Sequence, residues 1–483
     1  MKLRALLAGV EVLRFTANME MEIPNVVYDS RKVTPGCMFV AVSGFAADGN
    51  QYIPMAVEKG AAVVVTAKEL QTAVPCVQVT SDRRALARIA ANYFGHPGDS
   101  MQLIGVTGTN GKTSSTLLLK HVLETVLGAK VGLMGTMENM IGDESIPTER
   151  TTPESFELQA LLARMRDAGC THAIMEVSSH AIALDRVEGL QYAVAAFTNL
   201  TEDHLDFHKT MEAYCDTKAE LFSRCRKAVV NQDDAWFGRI CAKAACPVLA
   251  VSGKTEAGLY AQNQELLSDG VRFTAVSGEQ RVPVKLSIPG KFTVYNALTV
   301  LGMTMQLGIS LEDAAKALES AKGVKGRVEV VPTPGKPYTV LIDYAHTPDG
   351  LENVLSSVKG FCKGRLIAVF GCGGDRDPIK RPIMGRIGTD IADIAVITSD
   401  NPRTEEPMAI IQDIVKGIGQ KKKNYRVVEN RVQAIHLAMD IGQKNDIIVL
   451  AGKGHETYQE IHGVKHHLDE REIVAAYLEE MRE

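Results

Sequence analysis

The segment Ile104-Gly105-Val106-Thr107-Gly108-Thr109-Asn110-Gly111-Lys112-Thr113 constrains this chain more than any other, because an apolar run feeds a turn of small residues closed by Gly-Lys-Thr. Such a turn lets backbone N–H groups approach anionic oxygens when it joins a buried strand to the N-terminus of a helix, here covering about 113–126. Lys112 would neutralise phosphate charge and Thr113 would ligate Mg²⁺. The segment predicts nucleoside triphosphate binding on a parallel sheet. The pattern G-x-x-x-x-G-K-[ST] asks for glycine where Val106 stands, so a Gly-rich turn that merely links strand to helix is the competing reading.

The same strand-then-loop rhythm recurs along the chain. Short apolar runs at 26–28, 38–42 and 61–65, separated by Pro-Gly, Asp-Gly and Lys-Gly pairs, predict a small α/β domain over 1–98. Runs at 173–177, 194–199 and 228–231 end in polar residues, the mark of buried parallel strands whose carboxyl ends carry chemistry, and define a central domain over 99–325. After the Gly- and Lys-rich stretch at 322–327, strands at 338–343, 365–371, 394–400 and 446–452 predict a second doubly wound domain over 326–483. The expected fold is α/β in three domains: a small N-terminal domain, a phosphate-loop domain and a C-terminal Rossmann-like domain.

Composition narrows the partners. A formal net charge of -5 over 483 residues gives no reason to expect a nucleic acid, and small anionic substrates fit better. Nine cysteines without a C-x-x-C pair predict a reduced, cytoplasmic protein with neither disulfides nor a zinc knuckle. No apolar run approaches the roughly 18 residues of a membrane span.

Strand ends hold the candidate chemistry. Glu176, in Met175-Glu176-Val177-Ser178-Ser179-His180, and His204, in Glu202-Asp203-His204, fall on the sheet edge that carries Thr113, where they would share a metal ion. The structural reading makes Glu176 a helix cap and His204 a local turn contact. Gly371-Cys372-Gly373-Gly374-Asp375-Arg376 has Arg376 where a dinucleotide fingerprint needs its last glycine, so the loop suits a carboxylate or phosphate instead. Asp400-Asn401-Pro402-Arg403 offers a second arginine, and Ala451-Gly452-Lys453-Gly454-His455-Glu456 adds a carboxylate. Together they would clamp a zwitterion, guanidinium to carboxylate and Glu456 to ammonium. Exposed structural arginines are the competing reading. His462, His466 and His467 read as a solvated surface.

Taken together, these residues resemble the Mur ligases, ATP-dependent amide-forming enzymes of peptidoglycan precursor synthesis. The resemblance runs through Asp29-Ser30-Arg31, the phosphate loop, Thr151-Thr152-Pro153, 175–180, 198–204, Pro289-Gly290-Lys291-Phe292 with Asn296, Asp343-Tyr344-Ala345-His346-Thr347-Pro348 and 451–456. Within the family, Thr-Thr-Pro and Asp-Asn-Pro-Arg are similar to the motifs of members that add meso-diaminopimelate to UDP-N-acetylmuramoyl-L-alanyl-D-glutamate. The lysine-adding members lack the arginine.

The resemblance implies an acyl-phosphate mechanism with Lys112, Glu176, His204 and Lys218 as catalytic residues. It implies ATP contacts from Gly108, Thr109, Asn110, Gly111, Lys112, Thr113, Asn296, Arg327 and Asp343. Ser30 would meet the uridine part, while Thr151, Thr152, Ser179 and Arg186 would hold the muramoyl dipeptide. Arg376, Asp400, Asn401, Arg403, Gly452 and Glu456 would form the diaminopimelate site. Lys218, a solvated helix lysine by composition alone, would be carbamylated by CO₂ and join Thr113, Glu176 and His204 around Mg²⁺. The chain would act as a monomer. Alternatives are a lysine-adding ligase, a folylpolyglutamate synthetase, or a non-catalytic nucleotide-binding relative. Residues 181–185 lack the glutamine that relatives often carry before the arginine.

Overall fold

Alternating burial explains why the apolar runs become strands. In a computed structural model that describes residues 1–44, 48–69, 74–148, 150–267 and 269–480, the run Thr339–Asp343 sends Leu341 into one core with Ala368, Ala395 and Val449. Its neighbours Val340 and Ile342 enter another with Ile367, Val369, Val396, Ile448 and Leu450. Both faces are covered, which is why these strands read as continuous hydrophobic runs.

The chain forms two compact units, Met1–Tyr260 with Leu298–Ala314, and Ala261–Ala297 with Ala315–Glu483. The first unit holds two sheets. One is ordered Val12–Phe15, Cys76–Val79, Val63–Thr66, Met38–Val40, Val26–Val27, parallel except for its first strand. In the other, six parallel strands run Val248–Ser252, Ala228–Asn231, Val194–Phe197, Gln102–Thr107, His172–Glu176, Val131–Met134, followed by antiparallel Asn139–Ile141 and Glu144–Ile146. The phosphate-loop strand Gln102–Thr107 is central, so its loop emerges between the ends of two neighbours. Register fixes what stands there: Glu176 pairs with Val106 and Phe197 with Thr107.

The second unit contains the antiparallel strands Gly270–Ser277 and Gln280–Leu286 and a six-stranded sheet. That sheet runs Glu329–Val331, Thr339–Asp343, Ile447–Ala451, Leu366–Phe370, Ile394–Ile397, Tyr425–Val427, with only the first strand antiparallel. Its carboxyl edge gathers Asp343, the loop from Gly371, the segment from Thr398 and the loop from Gly452. Among the described residues no helix is long and apolar enough to cross a membrane. All nine cysteines are free thiols.

Candidate active site

The phosphate loop is held open by its neighbours. Gly108 has φ 145°, and a Cβ there would run into Thr198 Oγ1, so only glycine lets the loop pass under the end of the adjacent strand. Thr198 Oγ1 donates to Asn110 O (2.6 Å), and Asn199 Oδ1 accepts the Asn110 N–H (3.0 Å). Asn199 O accepts the Thr109 N–H at 2.8 Å. Gly111, at φ 86°, turns the chain into the helix Lys112–Leu127, whose first turn carries Thr113. Lys112 Nζ donates to Gly108 O and Thr109 O, both at 2.9 Å, keeping the ammonium over the loop.

Lys218 arrives from the helix Met211–Ala219 and corrects its composition-based reading: it is 2% exposed, not solvated. Its Nζ donates to Gly108 O at 3.0 Å and lies 4.7 Å from the Tyr214 ring centroid. Burial, then repulsion by Lys112, push its amine well below the usual lysine range. Burial of an ammonium is costly, and this cost favours the uncharged amine. Tyr214 is placed in turn by Thr109 Oγ1 (3.3 Å) and by a stack on His208, with centroids 4.9 Å apart.

Glu176 is 1% exposed and accepts from Thr136 N–H (3.0 Å) and Thr136 Oγ1 (2.9 Å). It therefore orients the turn after the strand Val131–Met134 and caps no helix. Thr136 Oγ1 also meets Thr151 Oγ1 at 3.1 Å, and Thr152 Oγ1 donates to Glu176 O at 2.7 Å, so the two threonines are tied to this strand end. His204 sits at φ 53°, 46% exposed, with its ring 4.8 Å from that of His180.

Ser179 is 1% exposed and bonded to His208 Nε2 at 2.9 Å. Its neighbour Ser178 is the serine that joins Thr152, through a 3.3 Å hydroxyl contact and through its N–H to Thr152 Oγ1. Adjacent serines look alike in a sequence; the turn decides which one faces the threonines. Arg186 donates to Thr152 O at 3.2 Å and pairs with Glu154. Ser30 is buried, its carbonyl accepting from Lys59 Nζ (3.1 Å), beside the Asp29–Arg31 pair at 2.8 Å.

In the second unit, Asp343 accepts from Val328 N–H and Ala345 N–H, both at 2.8 Å, and burial raises its pKa. Arg327 lies 5.4 Å from the Tyr344 ring centroid, and Asn296 is 5% exposed on the helix Lys291–Gln306. Asn401 Nδ2 donates to Glu456 Oε2 (2.9 Å), while Lys453 Nζ donates to Asn401 Oδ1 and Glu456 Oε2, both at 2.8 Å. Asp400 Oδ1 accepts the Asn401 N–H (2.7 Å), and a Cβ on Gly452 would stand 2.5 Å from Asp400 Oδ2. Arg403, at φ 52°, donates to Gly374 O (2.7 Å) and pairs with Glu460 (3.3 Å). Arg376 is exposed; a Cβ on Gly373 would lie 3.0 Å from Arg403 Nη1 and 3.8 Å from Arg376 Cγ, so both arginines reach the same loop.

This geometry has counterparts among known proteins. Three family models match the chain: Mur ligase family, catalytic domain, over residues 22–94; Mur ligase middle domain over 106–304; and Mur ligase, glutamate ligase domain, over 326–454. It is 47% identical over 488 residues to a UDP-N-acetylmuramoyl-L-alanyl-D-glutamate--2,6-diaminopimelate ligase of Clostridium tetani, all of both chains being covered. The chain belongs to the Mur ligase family. A ligase of the same printed name from Clostridium botulinum is 45% identical over 487 residues, again with both chains fully covered. A solved structure titled for that ligase aligns with this Mur ligase at TM-score 0.76 and 31% identity, covering 100% and 99% of the two chains.

This Mur ligase is an ATP-dependent amide ligase, and several of its site residues escaped the motif reading. Thr136, Ser178, Asn199, Tyr214, His208 and Lys453 all shape the two strand edges. Ser178, Asn199 and Lys453 lie inside motif segments, but what they touch, and the 0% exposure of Lys453, are tertiary facts. Among the described residues no three His, Cys, Asp or Glu side chains converge as a ready metal cluster. Carboxylate and hydroxyl oxygens completed by phosphate and water are the donor types that Mg²⁺ takes.

Proposed function

We propose that this Mur ligase joins meso-diaminopimelate to the D-glutamyl end of UDP-N-acetylmuramoyl-L-alanyl-D-glutamate, acting in the cytoplasm as a monomer. The observation that carries the choice of acceptor is Arg403, fixed by Gly374 O and Glu460 on the edge that also holds Asn401 and Glu456. Lysine and diaminopimelate share an amino-acid end; diaminopimelate alone has a second carboxylate for a guanidinium. The full-length likeness to ligases of that printed name supports the same reading.

A carboxylate is a poor electrophile, so the γ-phosphoryl of ATP is transferred to it first, and the amine of the acceptor then displaces phosphate from the acyl phosphate. Backbone N–H groups of 108–113 and Lys112 orient the triphosphate and offset its charge. Asn296, Arg327 and Asp343 are assigned to ATP as well, Ser30 to the uridine part, and Thr151, Thr152, Ser179 and Arg186 to the dipeptide. Glu456 receives the acceptor ammonium, with Arg376, Asp400, Asn401 and Gly452 completing that pocket. Mg²⁺, held by Thr113, Glu176, His204 and carbamylated Lys218, would supply a Lewis acid for phosphoryl oxygens. The neutral Lys218 amine adds CO₂ and releases a proton to become an anionic carbamate. We assign these roles to functional domains 1–98, 99–325 and 326–483, a division supported by their separate sheets.

Mass analysis of a reaction containing ATP, Mg²⁺, the dipeptide precursor and meso-diaminopimelate tests the reading. It predicts ADP and a precursor heavier by one diaminopimelate residue; unchanged precursor would overturn it.

A further inference from the structure

Three guanidinium groups converge on a single carboxylate oxygen in the first unit. Glu154 Oε2 lies 3.2 Å from Arg186 Nε, 3.5 Å from Arg83 Nη1 and 3.8 Å from Arg150 Nη1. Glu154 Oε1 is occupied differently, accepting the Ser155 N–H at 3.2 Å. The Glu154, Arg186 and Arg83 side chains are 11%, 13% and 18% exposed, so water screens them poorly, while Arg150 is 54% exposed and opens the cluster to solvent.

Among the described residues, one Glu154 oxygen faces three guanidinium groups. Arg186 feels each neighbour: burial lowers its pKa most, Glu154 raises it, and Arg150 and Arg83 lower it. Its buried Nε faces Glu154 without a well-aligned hydrogen bond. Arg83 is on the first turn of the helix Asp82–Phe94, and Glu154 is the N-cap of Ser155–Asp167, so both helix ends add positive potential to the cluster.

Position links the cluster to substrate-facing residues. Arg150 precedes Thr151 directly, Arg186 donates to Thr152 O, and Arg83 Nη2 donates to Ser43 O at 3.2 Å, reaching the loop that follows the strand Met38–Val40. We propose that Arg83 and Arg150, with Arg186, form an anion subsite that takes a carboxylate or diphosphate group of the nucleotide precursor, with Glu154 holding the three guanidiniums in register. The inference rests on the proposed function, in which the precursor is the acidic substrate, and adds two residues to its recognition. Planar guanidiniums converging from three elements suit either oxyanion through paired N–H donors.

Calorimetric titration without ATP separates the possibilities. UDP-N-acetylglucosamine, which has the diphosphate but no peptide, and UDP-N-acetylmuramoyl-L-alanyl-D-glutamate are each titrated into wild type, Arg83→Gln, Arg150→Gln and Arg150→Lys. Both glutamine variants are expected to bind the full precursor about tenfold or more weakly, as loss of a charge-assisted bond implies, with Arg150→Lys recovering part of the loss. An equal loss for UDP-N-acetylglucosamine identifies the diphosphate as the ligand; a loss confined to the full precursor identifies a carboxylate. Unchanged precursor affinity in both glutamine variants overturns the subsite. Should Arg83→Gln fail to fold, the exposed Arg150 position decides alone. A wild-type protein that ignores the precursor refutes the proposed function, and the subsite with it.

Discussion

Lys453 donates to Glu456 Oε2 at 2.8 Å from a side chain with no exposure to solvent. A second bond of equal length to Asn401 Oδ1 makes the lysine a tie between two strand-end loops. Lys453→Met would keep the volume, drop the charge and reduce the hold on Glu456 Oε2 to the Asn401 Nδ2 bond. The expected result is a KM for the amino-acid substrate raised about tenfold or more, with a smaller change in the KM for ATP. Steady-state kinetics with each substrate varied in turn checks it, and equal changes in both KM values would make Lys453 a general structural residue.

Arg403 is held at a positive φ of 52° with its guanidinium pinned by Gly374 O and Glu460. Arg403→Ala should cost about 1.5–3 kcal/mol towards diaminopimelate, or roughly ten- to 150-fold in kcat/KM, because a charge-assisted bond to the second carboxylate is lost. Nucleotide binding, measured by fluorescence with an ATP analogue, should change little.

Lys218 is buried and its amine is pushed towards neutrality by desolvation and by Lys112. Incubation with ¹³C-bicarbonate is expected to give a carbamate carbon resonance that vanishes in Lys218→Ala, and turnover should fall when dissolved CO₂ is removed. A protein fully active without CO₂ and showing no such resonance would refute carbamylation.

His208 gives a stability prediction with a definite sign. Burial, then repulsion by His180, lowers its pKa from 6.5 to about 4. Between those values the unfolded chain binds a proton that the native one refuses, so native stability falls as pH drops from about 6.5 to about 4. The total is on the order of 3 kcal/mol. His208→Gln can keep a bond to Ser179 and cannot titrate. Urea unfolding of the two proteins across this range should show a stability gap that narrows towards pH 4; a constant gap would contradict the buried neutral imidazole.

Much of this was legible because parallel strands buried on both faces advertise themselves as apolar runs, and their carboxyl ends must hold the loops. The strand predicted at 394–400 ends at Ile397, and Asp400, three residues on, stands beside Gly452. What could not be read depends on contacts distant in sequence. Nothing local distinguishes buried Lys218 from a solvated helix lysine: its helix has no clear apolar face, and its partner Gly108 is 110 residues away. Which of the adjacent serines meets Thr152 and which meets His208 is hidden for the same reason. Arg83 meets Glu154 across 71 residues, and no motif announces Arg83.

The central claim is a choice of acceptor, and phosphate release measures it most directly. Purified protein with ATP, Mg²⁺ and UDP-N-acetylmuramoyl-L-alanyl-D-glutamate is predicted to release phosphate rapidly with meso-diaminopimelate and only at background with L-lysine. Release with lysine at an equal or greater rate would keep the ligase chemistry and contradict the role given to Arg403, and no release with either would contradict the proposed reaction itself.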